Sequence, residues 1–424
     1  VRRPAGFEKR QIRKVGVIGA GLMGQGIAVV CAKAGVPVIL LDRDQSAADH
    51  GLAKIKAGLE KKLSRGRTTA DRNEKILSLI TASASYAHFD GCDVVVEAVF
   101  EDRGIKAAVT KAAEAVVGPD CIFASNTSGL PITELAEASS RPEKFIGLHF
   151  FSPVERMQMV EVIRGEKTSD ETLAVAWDFI LKLRKAAIVV NDSPGFYTSR
   201  VFGTFITEGN HLLVEGVAPA LIENAARLAG MPMPPLAISD MVGLGTMHKV
   251  AEQARRDAET EGRDWKPSPA QAIIAKLVTE LDRWGANPPP KADGQPRDPG
   301  GFYEYDAQGK RLWSGISTQL GEFIGSVSVQ PEAQEVKDRY LFTQCLEAVR
   351  CLEEGVITDV REGDVGVIMA VGFPAHTGGP FTFIDNYGPA AFVTRARELA
   401  EKHGERFLPP NLLVQKAENG TTFY

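Results

Sequence analysis

The segment that most constrains this chain is Lys14-Val15-Gly16-Val17-Ile18-Gly19-Ala20-Gly21-Leu22-Met23-Gly24. A short apolar run, strand-like in composition, enters three glycines at G-x-G-x-x-G spacing, and a helical pattern follows. Gly19 suits the tight turn, Gly21 lets the backbone approach a pyrophosphate, and Gly24 lets the helix pack closely on the strand. Phosphates would lie at the helix N-terminus, with Leu22 and Met23 in its first turn. Asp42 ends the next predicted strand, 23 positions after Gly19. A carboxylate there accepts both ribose hydroxyls and repels a 2′-phosphate, which favours NAD over NADP. The neighbouring Arg43 works against that choice, and an aspartate that merely starts a loop is the alternative reading.

The rest of the chain extends this pattern. At 424 residues it is too long for one ordinary core. Strands are expected at 14–19, 36–42, 93–98, 121–125, 145–149, 158–163 and 186–190. Helices are expected at 22–34, 46–64, 71–80, 103–117, 131–138 and 170–183. Such alternation predicts a parallel α/β sheet covered by helices. The turn-rich Asn191-Asp192-Ser193-Pro194-Gly195 closes this part. Beyond it, helical patterns occupy 196–215, 219–229, 248–258 and 269–285, and a Pro/Gly-rich stretch follows from Ala286 to Gly301. Helices resume at 334–355, 361–370 and 388–403. The order Val214-Glu215-Gly216-Val217, Ala229-Gly230-Met231-Pro232, Asp240-Met241-Val242-Gly243 recurs as Glu353-Glu354-Gly355-Val356, Val371-Gly372-Phe373-Pro374, Asp385-Asn386-Tyr387-Gly388. The expected architecture is an α/β Rossmann-type NAD-binding domain followed by two related all-α C-terminal domains. Its boundaries are a linker at 1–13, the nucleotide domain at 14–194, a first helical domain at 195–300, a linker segment at 301–333 and the repeat at 334–424.

Composition narrows the function classes. A net charge of −5 gives no general attraction to nucleic acid or membrane. The five cysteines lack CxxC spacing, so buried thiols are expected rather than a metal site or disulfide framework, which suits a cytoplasmic setting. No apolar run reaches transmembrane length, and the first 13 residues hold no signal-peptide core.

Removing a hydride from an alcohol also requires a base for the hydroxyl proton, and imidazole suits this near neutral pH. His149 ends the strand Phe145-Ile146-Gly147-Leu148, and open α/β sheets bind ligands at strand C-termini. Glu161 lies inside the apolar run Met157–Ile163, so its carboxylate needs a partner. A neighbouring imidazole would serve, oriented as in a hydrolase triad. Ser128 is placed to donate to the substrate oxygen. Against this stand a structural strand-end histidine and a glutamate paired with an arginine. His50, His88, His211, His248, His376 and His403 have no comparable setting.

Taken together, Gly19–Gly24, Val95–Val99, Ser125-Asn-Thr-Ser128, Gly147-Leu-His-Phe-Phe151, Val160–Ile163, Asp192–Phe196 and Gly300-Gly-Phe-Tyr-Glu-Tyr305 resemble the L-3-hydroxyacyl-CoA dehydrogenase family, including its long multifunctional members in fatty-acid oxidation. Those members carry a hydratase domain first, so this sequence reads as the dehydrogenase part. The resemblance implies NAD as cofactor and a 3-hydroxyacyl-CoA substrate, with a thiolase subunit and a second copy of the chain among the partners it raises. It implies that His149 is the acid/base, Glu161 its partner, and Ser128 a contact to substrate and cofactor. Glu101 and Lys106 match positions facing the nicotinamide half of NAD, and Ser152 falls where the family has an asparagine near that ring. The family's Pro-Gly-Phe-x-x-Asn-Arg reads Pro194-Gly-Phe-Tyr-Thr-Ser199-Arg200 here, so Ser199 stands where an asparagine is expected to bond the substrate oxygen. The basic segment 51–67 matches a CoA-binding arm, with Arg65 and Gly58 at its usual lysine and serine positions. Two other readings stay open: oxidation of a free hydroxy acid or sugar acid, and an inactive NAD-binding scaffold.

Overall fold

The computed structural model describes residues 3–291, 293–306, 308–321 and 323–424. The chain forms two compact units: one reaches to Arg200 and includes Cys351–Val371, and the other comprises Val201–Arg350 and Gly372–Tyr424.

The first unit is built on eight strands: β1 (Val15–Ile18), β2 (Val38–Leu41), β3 (Ile80–Ser83), β4 (Val94–Glu97), β5 (Ile122–Ser125), β6 (Phe145–Phe150), β7 (Met159–Arg164) and β8 (Ala186–Asn191). Their order is β3-β2-β1-β4-β5-β6-β7-β8. Between them run α1 (Leu22–Lys33), α2 (Gln45–Ser64), α3 (Ala70–Leu77), α4 (Arg103–Glu114), α5 (Ile132–Leu135) and α6 (Asp170–Lys182). The inner strands β1, β2, β4 and β5 are buried throughout, as their unbroken apolar runs require of a sheet covered on both faces.

The sheet differs from the expected one by an added parallel strand and by one antiparallel pair. Strand β3 escapes the sequence pattern because it is a four-residue edge strand whose two middle side chains are not buried, beginning at the last residue of the helix expected at 71–80. Strand β7 runs antiparallel to β6, and β8 follows β7 in parallel. The reason is chain length: a parallel return needs a crossover of about a dozen residues, and only residues 151–158 separate β6 from β7.

Two boundary expectations also change. The segment before β1, read as a linker, is held down in its described part. Ile12 joins the core, the Arg13 amide bonds Asp93 (2.7 Å), and Arg3 pairs with the buried Asp178 (2.8 Å). Residues 351–371, expected in the second helical domain, belong with the sheet. Strand β8 is an edge whose amides need acceptors. Val189 N donates to Glu362 (3.0 Å) and Asn191 N to the Val356 carbonyl (2.8 Å). Helix α13 (Val360–Val371) packs on β7 and β8.

The second unit is mainly helical. It holds most of α7 (Thr198–Glu215), then α8 (Pro219–Leu228), α9 (Pro235–Val242), α10 (Leu244–Thr260) and α11 (Pro269–Thr279). A hairpin follows, β9 (Tyr303–Tyr305) against β10 (Arg311–Ile316), in the segment read as a linker. Then come most of α12 (Ala333–Glu353), α14 (Pro380–Tyr387), α15 (Pro389–His403) and α16 (Asn411–Asn419). Helices α9, α14 and α16 lie outside the expected spans. Short helices complete too few turns to show a 3.6-residue period.

The hairpin is pinned by one carboxylate. Asp240, wholly buried, accepts from Phe302 N (2.6 Å), Tyr303 N (2.9 Å) and Tyr305 OH (2.8 Å). Burial still outweighs these donors and pushes the Asp240 carboxyl up to about 6. The folded state therefore binds this proton more tightly than the unfolded chain. Stability attributable to Asp240 is greatest below the unfolded value near 3.8 and falls as pH rises to about 6. Comparing unfolding free energies of the parent and Asp240→Asn from pH 4 to 7 should expose a relative loss in the parent of about 2 kcal/mol. Parallel curves for the two proteins would contradict the assignment.

Close packing at the first turn gives a second test. A Cβ on Gly24 would lie 1.7 Å from the Gly19 carbonyl oxygen, which is backbone and cannot swing aside. Gly24→Ala should cost about 3 kcal/mol in denaturant unfolding. An unchanged midpoint would show that the α1 start can shift freely.

Candidate functional site

The parallel strands place the C-terminal ends of β1, β4, β5 and β6 along one edge of the sheet. At β1 the chain turns through Gly19, whose φ of +99° excludes most side chains and whose amide bonds the Leu41 carbonyl (2.7 Å). Helix α1 then starts with no side-chain cap at Gly21, and a Cβ on Gly21 would meet nothing within 4 Å. Open space beside uncapped first-turn amides is the arrangement a pyrophosphate requires. Leu22 is exposed at this turn and Met23 is half-buried. Asp42, at the end of β2, accepts from Ala20 N and Arg43 N, each at 2.7 Å. It thereby ties the glycine turn to β2 and stays half-buried, with acceptor capacity left for ribose hydroxyls. The Arg43 side chain is exposed and turns to Asp44 (3.2 Å). The residues present therefore fit NAD.

Glu101 and Lys106 belong to a polar cluster at the ends of β4 and β5. Lys106 is buried, bonds Glu97 (2.8 and 3.0 Å) and lies 3.2 Å from Glu101. Burial works against its ammonium, but the pull of Glu97 and Glu101 outweighs it and holds the group above its ordinary value. Ser125 donates to Glu97, Thr127 donates to Glu101, and Ser128 N bonds Glu101 at 3.2 Å. Glu97, Ser125 and Thr127 thus join the predicted residues in this cluster. A charged residue ending the apolar run Val94-Val95-Val96-Glu97 is the signal that marks such a cluster.

His149 and Glu161 are directly opposed across the β6–β7 pair. His149 Nδ1 lies 2.9 Å from Glu161 Oε2. The Glu161 side chain is wholly buried and takes three more donors. Its Oε1 accepts from Tyr197 N (3.0 Å) and Thr198 N (2.9 Å), and its Oε2 accepts from Thr198 Oγ1 (2.6 Å). The turn before α7 aims these amides: Gly195 has φ +77° and Phe196 φ +52°, a conformation that costs a phenylalanine energy. With so many donors Glu161 acts as an acceptor, so His149 presents Nδ1–H to it and keeps the Nε2 lone pair free. Phe151 and Phe196 flank the ring, with centroids 4.4 and 6.4 Å away. Thr198 and the Tyr197 amide leave no signal in the sequence, where hydroxyl and backbone donors carry no pattern.

Ser128 is exposed on the loop after β5, which Asn126 fastens to β6 by accepting from Phe150 N (2.9 Å). Ser199 is half-buried in the first turn of α7, next to Thr198, and its hydroxyl has no partner among the described residues. Ser152 is exposed in the segment after β6. Arg65, the exposed C-cap of α2, makes no ion pair among the described residues.

Residues 14–193 match the model of the 3-hydroxyacyl-CoA dehydrogenase NAD-binding domain, and residues 195–283 match the C-terminal domain of that family. The fatty acid oxidation complex subunit alpha of Shewanella amazonensis is 39% identical over 98% of this chain, and the aligned region covers 56% of that protein. The chain thus spans about half the length of the curated relatives it matches. The solved (S)-3-hydroxybutyryl-CoA dehydrogenase of Ralstonia eutropha is 35% identical with a TM-score of 0.59, covering 65% of this chain and 96% of that one. The 3-hydroxybutyryl-CoA dehydrogenase of Escherichia coli shares the fold along 97% of this chain and 99% of its own, at 24% identity and a TM-score of 0.76. With a sheet edge that fits NAD and sequence agreement through both of the family's domains, this chain belongs to the 3-hydroxyacyl-CoA dehydrogenase family.

Proposed function

We propose that the chain oxidises L-3-hydroxyacyl-CoA to 3-ketoacyl-CoA with NAD, as one step of fatty-acid β-oxidation. The observation that carries this reading is the 2.9 Å contact between His149 Nδ1 and a saturated Glu161 carboxylate. In it, Nε2 of His149 takes the hydroxyl proton as the C3 hydrogen leaves with its electron pair. The resulting imidazolium is stabilised by Glu161, and in the reverse direction it returns the proton to the ketone oxygen. Bound NAD supplies the hydride acceptor. Gly19, Gly21, Leu22, Met23, Gly24 and Asp42 hold its adenosine and pyrophosphate half, and Glu101, Lys106, Ser128 and Ser152 its nicotinamide half. Ser128 and Ser199 steady the substrate oxygen, Ser199 reaching it directly or through a water in place of the family's asparagine. Arg65 and the exposed lysines of α2 attract the CoA phosphates.

The curated relatives are named as a subunit of a fatty acid oxidation complex. Association with a thiolase subunit or a second copy of the chain, and a cytoplasmic setting, belong to the same reading. The five cysteines are all buried, as that setting allows. We also infer that the helical part is a duplication. Helices α9 and α14 are eight residues each, start on a proline and end on glycines of nearly equal geometry. Those glycines are Gly243 at φ 95°, ψ 118° and Gly388 at φ 88°, ψ 116°.

Turnover of 3-hydroxybutyryl-CoA, followed at 340 nm, should far exceed that of free 3-hydroxybutyrate; the reverse ranking would favour a hydroxy-acid dehydrogenase. His149→Gln should keep NAD affinity and lose about two to four orders of magnitude in turnover. Near-parental turnover would remove His149 from the reaction. Asp42→Ala should weaken NAD and raise relative use of NADP in cofactor titrations, and an unchanged preference would contradict its assignment to the ribose.

A further inference from the structure

We propose that the Thr198 hydroxyl is a positioning residue that tempers the basicity of His149 through Glu161. The proposal rests on the acid–base reading above. Oxygen Oε2 of Glu161 is shared by two donors, Thr198 Oγ1 at 2.6 Å and His149 Nδ1 at 2.9 Å. The other oxygen is taken by the Tyr197 and Thr198 amides at 3.0 and 2.9 Å. A carboxylate offers about four lone-pair sites, and all are in use. Each donor withdraws negative charge from the oxygen it bonds, and within a buried site that withdrawal is poorly screened. The hydroxyl therefore competes with the imidazole for one oxygen and reduces the stabilisation that Glu161 offers to imidazolium. The backbone leaves the hydroxyl little choice of position, because the amide of the same residue is bonded to the same carboxylate. Charged groups on the surrounding elements have partners of their own: Arg164 on β7 pairs with Asp170 at 2.8 Å, and Glu362 on α13 accepts from Val189 N at 3.0 Å. The Glu97–Lys106–Glu101 cluster closes at β4 and α4, and Arg200 on α7 pairs with Glu354 at 2.5 Å.

A ring titration by NMR, with the His149 signals identified by their loss in His149→Gln, tests this in the cofactor-free protein. Thr198→Val, which keeps the shape and removes the donor, should raise the titration midpoint of that ring by about half a unit to one unit. Thr198→Ser should stay within about two tenths of the parent. The acidic limb of log(kcat/KM) for alcohol oxidation and the alkaline limb for ketone reduction should both move to higher pH in Thr198→Val. A hydroxyl that only caps α7 would lower thermal stability and leave the midpoint where it was, and that result overturns the proposal. Thr198→Ala carries the same expectation should the valine variant not fold. Absence of turnover in the parent would sink the dehydrogenase reading, while the ring titration would still decide the role of Thr198.

Discussion

A fully buried glutamate inside an apolar strand is costly unless every acceptor site is filled, and the β6–β7 side of the sheet is arranged around that requirement. Glu161 draws its donors from two places: the imidazole across the β6–β7 pair and the turn that opens α7. Satisfying the carboxylate therefore couples the sheet to the start of α7. It also settles the imidazole tautomer, since an oxygen pair already accepting from amides and a hydroxyl receives the Nδ1 proton and offers none. The free Nε2 is a consequence of burying Glu161.

The same logic recurs elsewhere. Lys106 is buried only because Glu97 and Glu101 lie against it, and those carboxylates in turn fasten Ser125, Thr127 and the Ser128 amide. Asp240 pins the β9–β10 hairpin by accepting from two amides and a phenol. In the helical unit Arg339, almost wholly buried, is neutralised by Glu208 at 2.5 Å and Glu215 at 2.6 Å. Each such group is strongly directional and intolerant of a missing partner, so each holds a loop or helix end in one arrangement where apolar contacts alone would permit several.

Much of the nucleotide half was legible from local pattern. Glycine spacing, the buried runs of β1 and β4 and the position of Asp42 are short-range features set by backbone sterics and side-chain period. The helical half was legible in part. Long helices declared themselves, whereas α9, α14 and α16 are too short to show a period, and the β9–β10 hairpin lies in a stretch that reads as a linker. The edge strand β3 and the packing of α13 on β8 escaped because edge amides can be satisfied by any nearby acceptor, and no local residue type signals which one.

The amino-acid sequence alone determined the parallel β1–β6 part of the sheet, the dinucleotide turn and the identity of His149 and Glu161 as a candidate pair, because each follows from residue type and spacing. Only the tertiary structure decided that β7 turns back against β6, which brings residues 149 and 161 into register. It also decided that Thr198 completes the carboxylate's shell and that residues 351–371 cover the sheet edge. These outcomes depend on which distant donors reach which buried acceptors, and that is a property of the folded chain rather than of any segment within it.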